Sequence, residues 1–213
     1  MYKRKTIVTN TINIISFFLA LEGYVMLIFF GRLLDEWPRR LISFVIFGIF
    51  MVLLYLCSAV YHAIPKHSRL KKTVQKIDHS MIYLMIAGSY TPICLLVLNG
   101  PWGKGLLLTV WLIAIFGIIL KFLKNPLPSW SHVGLYLFMG WMLIMTYPYL
   151  LTNLGIYGFI WLLASGVFYT IGATVVILHP LVKRRMLFSY IDIFHIFVIL
   201  GTLAHIILLI KFV

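Results

Sequence analysis

Long apolar runs alternate with short polar breaks along almost the whole chain. Seven runs, at residues 11–30, 41–62, 78–99, 105–122, 131–150, 154–178 and 190–211, are each close to the about 20 residues that a helix needs to cross the hydrocarbon core of a bilayer. The breaks carry loop chemistry: Asp35-Glu36-Trp37-Pro38, Asn99-Gly100-Pro101 and Asn125-Pro126-Leu127-Pro128, where Pro and Gly interrupt helical geometry. Pro148 falls inside the fifth run, where neighbouring helices can satisfy the carbonyl it frees. The pattern predicts an all-α polytopic membrane protein, a seven-transmembrane-helix bundle. It is read as one domain over residues 1–213, with no inserted soluble domain and no internal repeat. No span reads as carrying a repeated polar stripe.

Composition agrees with this picture. Hydrophobic residues make up 62% of the 213 and charged residues only 11%, against about a quarter charged in a soluble domain. The net charge of +13 raises the possibility of a nucleic-acid partner, but the basic residues sit in short clusters between apolar runs. They read as topology signals and as contacts to anionic headgroups, so the expected partners are membrane lipids and not nucleic acid. With the N-terminus in the cytoplasm, inside segments hold Lys3, Arg4, Lys5, Lys66, Arg69, Lys71, Lys72, Lys76, Lys121, Lys124, Lys183, Arg184 and Arg185. Outside segments hold only Arg32, Arg39, Arg40, Lys104 and Lys211. The positive-inside rule then predicts a cytoplasmic N-terminus, a C-terminus outside and a multi-pass protein of the cell membrane. The first run is too long for a signal-peptide core and no small-residue cleavage pattern follows Ala20, so it is expected to stay as the first span. Cys57 and Cys94 lie within spans and read as small packing residues rather than a disulfide.

The few ionisable residues within spans fall at one face of the membrane. Ser58 and His62 close the second span, Asp78 and His79 open the third in its first turn, and Asp192 and His195 open the seventh. Ser58 and His62 are four apart and Asp192 and His195 three apart, so each pair shares a helix face. Ionisable groups inside a span cost a few kcal/mol and are usually functional or paired. Imidazole and carboxylate together are zinc-binding chemistry. His62 and His195 are candidate ligands, with Asp78 holding a water or binding the metal directly. Ser58, one turn before His62, is placed to donate to that water or to a developing oxyanion. Ser58 and Asp78 are thus the candidate catalytic residues. Glu22, the other acid well within a span, stands apart in the first.

At these residues the chain resembles the hemolysin III family, related to the adiponectin and progestin receptor-like membrane proteins. The matching segments are Ser58-Ala59-Val60-Tyr61-His62, Asp78-His79-Ser80-Met81-Ile82-Tyr83 and Ala87-Gly88-Ser89-Tyr90-Thr91-Pro92. They continue with Tyr169-Thr170-Ile171-Gly172-Ala173 and Phe194-His195-Ile196-Phe197-Val198, with Gly201, Thr202 and His205 beyond. The resemblance implies a seven-helix fold with the N-terminus inside. It also implies a zinc held by a histidine of span two and two histidines four apart at the start of span seven. His62 and His195 fill two of those positions; the third is Ile191, which coordinates nothing. The Thr-His pair expected at the opening of span one is also absent, with Asn10 and Asn13 the nearest similar residues. Three outcomes stand open: Asp192 replaces the lost ligand, Asp78 moves in, or the site binds metal weakly or not at all.

Among the remaining histidines, His205 reads as a polar packing residue, His79 as a headgroup contact, and His67, His132 and His179 as solvated. Trp102, Trp111, Trp130 and Tyr190 fit an interfacial aromatic belt. Gly155, Gly158, Gly166 and Gly172 read as close helix contacts. Two functions compete. One, implied by the resemblance, is a zinc-dependent intramembrane hydrolase of lipid amides or esters linked to membrane lipid homeostasis. The other is a non-enzymatic membrane sensor, or a cytolytic, permeabilising protein with a degenerate metal site.

Overall fold

The computed structural model describes residues 2–33, 38–65, 67–123, 128–178 and 189–213, and every regular element among them is helical. They are α1 (Tyr2–Leu33), α2 (Arg39–Ala63), α3 (Lys71–Pro92), α4 (Pro101–Phe122), α5 (Ser129–Trp141), α6 (Tyr147–Leu178) and α7 (Tyr190–Phe212). A π-helical turn, Ile93–Val97, extends α3 beyond Pro92, and a 3-10 stretch, Met142–Thr146, joins α5 to α6 just before Pro148. Proline removes one ladder hydrogen bond in each place, and the irregular turns absorb the mismatch. The acidic loop at Asp35-Glu36-Trp37, the loop at Asn125-Pro126-Leu127, Lys66, Lys124, His179 and the basic cluster Lys183-Arg184-Arg185 lie outside the described residues.

Six helical stretches among the described residues are long and apolar enough to cross a membrane. Five correspond one to one with apolar runs. The fifth and sixth runs fall together in a stretch of 49 residues, Trp130–Leu178. It is broken at Gly155, whose φ of 67° and ψ of 174° are non-helical, a conformation open to glycine because it carries no Cβ. Before the break the chain runs alongside α3 in the same direction. The Tyr83 hydroxyl meets His132 Nδ1 at 2.8 Å, the Tyr90 hydroxyl donates to the carbonyls of Met139 and Gly140, and Asn153 donates to the Val97 carbonyl at 2.8 Å. After the break the chain runs against α7, with Gly158 beside Phe212 and Gly172 beside Phe197 and Phe194. The direction of the chain therefore reverses around Gly155.

Helix α3 begins at Lys71, seven residues before its apolar run. The preceding Lys71–Ile77 segment is polar, but Lys71, Lys72, Gln75 and Lys76 are good helix formers, so hydropathy alone stops short of it. As a result Asp78 lies two turns into α3 and not in its first turn. Lys71 also fixes the α2–α3 connection. Its ammonium donates to the Tyr61 carbonyl and, at 3.1 Å, to that of Ile64, and lies 3.9 Å from the centre of the Tyr61 ring. A cation bonded to the last carbonyls of α2 complements the helix dipole there.

Burial divides the helices. In the most apolar window of each, 61% of α3 residues are buried, against 17% for α4 and 11% for Trp130–Leu178. The core, including Phe44, Phe47, Met51, Tyr83 and Tyr90, lies where α1, α2, α3 and α7 meet. Trp111 departs from the belt expectation: it is halfway along α4 and packs edge-on against Phe50 at 5.5 Å, whereas Trp102 and Trp130 are exposed. Gly158 and Gly172 are close helix contacts as expected. Gly166 has open space beside it, and the role of Gly155 is the break.

Candidate functional site

The start of α7 is fixed by a reciprocal cap. The Ser189 hydroxyl accepts from the Ile191 amide, and the Asp192 carboxylate, three residues on, accepts from the Ser189 amide at 2.8 Å. This is the capping box, which satisfies otherwise orphaned amides of the first turn. The other Asp192 oxygen accepts from the Thr9 hydroxyl of α1 at 2.5 Å. Asp192 is 1% exposed, with both oxygens engaged, and it ties α7 to α1.

One turn further, His195 is set by the backbone. Its Nδ1 lies 2.8 Å from the Ile191 carbonyl. A carbonyl only accepts, so Nδ1 carries the proton, and the lone pair of Nε2 is directed into the bundle. There it meets the Ser58 hydroxyl at 3.0 Å. The same hydroxyl lies 2.9 Å from Asn13 Oδ1, so its single proton is shared between two acceptors. Asn13 in turn donates to the Thr9 carbonyl at 2.8 Å. The His62 ring stands edge-on to that of His195, centroids 5.2 Å apart. The Asp78 carboxylate adjoins the Ser58 hydroxyl from α3 and is 3.4 Å from His79 Nδ1, which also faces the Gln75 carbonyl at 2.7 Å.

The structure brings His195 and Asp78 to the Ser58 hydroxyl and sets the His62 ring beside that of His195. Asp192 belongs to the same end of the bundle but points into the α1–α7 tether. Among the described residues, no group of three or more His, Cys, Asp or Glu is close enough to hold a metal. The fit to zinc is divided. His195 has the arrangement of a metal-ligating imidazole, one nitrogen held by a carbonyl and the other turned inward, with a second imidazole beside it. Ile191 offers only its carbonyl, and Asp192 is engaged elsewhere.

Thr9, and Asn13 from the place where the resemblance expects a Thr-His pair, complete the site. Their signal in the sequence is the spacing of Thr9, Asn13 and Ser16, four and three apart, which places three small polar groups on one face of α1; all three are buried. The expectation that no span carries a polar stripe is corrected by α7. Asp192, His195, Thr202 and His205 are all buried, and the last three fall on one side of the helix. Thr202 joins the hydroxyls of Tyr55 (2.8 Å) and Tyr169 (3.1 Å), and His205 packs against the Phe47 ring at 5.0 Å. The spacing of seven and three from His195 keeps these residues within about 80° of arc on a helix with 3.6 residues per turn, a period hidden by the apolar residues between. His132, expected to be solvated, is instead buried against Tyr83, because α5 packs its first turns onto α3. His205 is buried as expected, and His67 is exposed.

Comparison with known proteins agrees with this architecture. A family model described as haemolysin-III related matches residues 5–206. Hemolysin-3 of Bacillus cereus is 42% identical over 132 residues, covering 62% of this chain and 60% of that protein, so the match spans less than two thirds of its length. The Hemolysin-3 homolog of Bacillus subtilis (strain 168) is 38% identical over 176 residues, covering 81% of this chain and 80% of the relative. No solved structure matches. On the extent of the family match and the multiple membrane-spanning helices, this chain is a multi-pass membrane protein belonging to the haemolysin-III related family.

Proposed function

We propose that the chain crosses the membrane seven times, with the N-terminus and the Ser58–His195 cluster at the cytoplasmic side. We further propose that this cluster is a metal-dependent hydrolytic site acting on the carbonyl of a lipid amide or ester. Support for seven crossings comes from the reversal at Gly155. A straight helix of 49 residues would be about 74 Å long, more than twice the ~30 Å hydrocarbon core. Orientation rests on the excess of Lys and Arg in the cytoplasmic segments.

The observation that carries the chemical reading is His195, its Nδ1 held by the Ile191 carbonyl and its Nε2 turned towards Ser58 and His62. His62 and His195 are the residues that would hold a zinc ion, with no third His, Cys, Asp or Glu among the described residues close enough to complete the set. When bound, zinc supplies Lewis acidity towards a carbonyl and lowers the pKa of water towards about 7. The chain's own groups do the rest. Asp78, beside Ser58, is placed to accept a proton from attacking water. Ser58 is placed to donate to an oxygen that gains charge. Asn13 and the Ile191 carbonyl hold Ser58 and His195 in position. Substrates with acyl chains suit a site at the membrane face of a bundle whose outer surface is apolar.

The test is metal affinity with and without the missing imidazole. Ile191→His is expected to raise zinc affinity by about 10- to 100-fold, the scale on which ligand-shell changes act. An unchanged affinity in a folded I191H protein would remove the two-histidine site as the basis of function. A second reading is favoured by the absence of a metal-holding trio among the described residues. In it the cluster is a metal-free hydrogen-bonded lock in a non-enzymatic membrane protein, acting on membrane state as the relatives' name suggests. Zinc-independent folding with no detectable zinc binding would favour it.

A further inference from the structure

Glu22 has no place in the site just described. It lies on the outer face of α1 and is exposed, and no side chain among the described residues forms an ion pair or hydrogen bond with it. Its depth is fixed by its neighbour. A Cβ on Gly23 would stand 3.5 Å from the Met51 side chain, and Met51 is the midpoint of α2, Arg39–Ala63. The carboxyl therefore faces the middle of the hydrocarbon core, where ionisable groups are costly and normally turn inward or pair with one another.

The surface around Glu22 is ordered. Ile15, Phe18, Val25 and Phe29 are 52%, 62%, 65% and 58% exposed. With Glu22 they follow a spacing of three, four, three and four. That is the a/d repeat of a helix seam, whose 3.5-residue period matches a left-handed crossing of two helices. One polar residue at a single position of such a seam sets register and partner number.

We propose that α1 is the interface of a parallel dimer of this chain, with the two Glu22 carboxyls hydrogen-bonded to each other at its centre. Membrane insertion gives both copies the same direction, so a second copy presents the same repeat at the same depth. Two-fold symmetry then sets Glu22 against Glu22. A carboxyl group offers both a donor and an acceptor, so two that face each other become a satisfied hydrogen-bonded pair. Phe18 and Val25, one turn to either side, pack across the same seam and exclude lipid from the pair.

The experiment uses the full chain in liposomes at low protein density, with Cys57 and Cys94 replaced by Ser. Oxidative cross-linking is read for Val25→Cys on the seam and for Leu112→Cys, 57% exposed on α4. The expected result is an efficient dimer band for V25C and none above background for L112C. Adding Glu22→Gln should preserve the V25C band, because two amides also pair. Adding Glu22→Leu should weaken the dimer by about 3- to 30-fold, the range measured for polar contacts between membrane helices. Absence of the V25C band, an equal band at Leu112→Cys, or a V25C band unchanged by E22L would overturn the proposal.

Discussion

Asp192 and Glu22 are both carboxylates within helices that cross the bilayer, yet their surroundings are opposite. Asp192 is 1% exposed, and its oxygens accept from Thr9 and from the Ser189 amide. Glu22 is exposed on the lipid face of α1 with no partner among the described residues. Hydropathy treats the two alike, as single acids in apolar runs. What separates them is the side of the helix and what the neighbouring helix brings to it. Asp192 faces a short polar patch, Thr9 and Asn13, on the inner side of the same α1 that carries Glu22 on its outer side. One helix thus uses its inner face to lock the site and keeps an outer face for another partner.

The largest expected effect comes from emptying the first of these environments. Asp192→Ala removes the cap of α7 and breaks its hydrogen bond to Thr9. The expected loss is about 2–4 kcal/mol, read as lowered resistance to denaturation in micelles. Glu22→Ala, tested in dilute micelles where the chain is monomeric, should change stability by no more than about 0.5 kcal/mol. Comparable losses from both would erase the distinction drawn between the two acids.

A middle-sized effect tests the reversal at Gly155. Gly158 abuts Phe212, with 3.0 Å left for a Cβ, so Gly158→Leu overpacks the α6–α7 contact and should cost about 1–3 kcal/mol. Gly166 meets nothing within 4 Å, and Gly166→Leu should be tolerated. Equal sensitivity at both positions would contradict the packing of this helix pair.

The smallest effect concerns the polar face of α7 beyond the site. Thr202→Val removes the hydroxyl shared by Tyr55 and Tyr169. Hydrogen bonds between membrane helices average about 0.6 kcal/mol in double-mutant cycles, so a loss of about 1 kcal/mol is expected for Thr202→Val, about half that for Tyr55→Phe, and no more than the Thr202→Val loss in the double variant. Additive losses in the double variant would mean that the two hydroxyls act separately.

The large features were legible in the sequence for a physical reason. Lipid forces every spanning segment to be apolar and helical, so run length finds the helices, and the rare polar residues inside them find one another. Ser58, His62, Asp78 and His195 were found this way. Residues outside the rule were not. The polar start of α3 is helical for propensity reasons that hydropathy ignores, which moved Asp78 two turns inward. Thr9 and Asn13 are neutral, and such residues near a span end are ordinary until a partner is known. The face formed by His195, Thr202 and His205 is diluted by apolar neighbours. The engagement of Asp192 with Thr9 depends on a contact 183 residues away in the chain, which no local pattern reveals. His132 looked like a loop residue because its burial is made by α3.

Zinc content of detergent-purified protein, compared across wild type, His62→Ala, Asp78→Ala and Asp192→Asn, tests the central claim most directly. The account predicts about one equivalent in wild type, loss in the His62 variant, and retention in the Asp78 and Asp192 variants, since Asp78 serves as proton acceptor and the Asp192 carboxylate serves the α1–α7 tether. Less than about a tenth of an equivalent in wild type, or a stoichiometric zinc unaffected by His62→Ala, would contradict it.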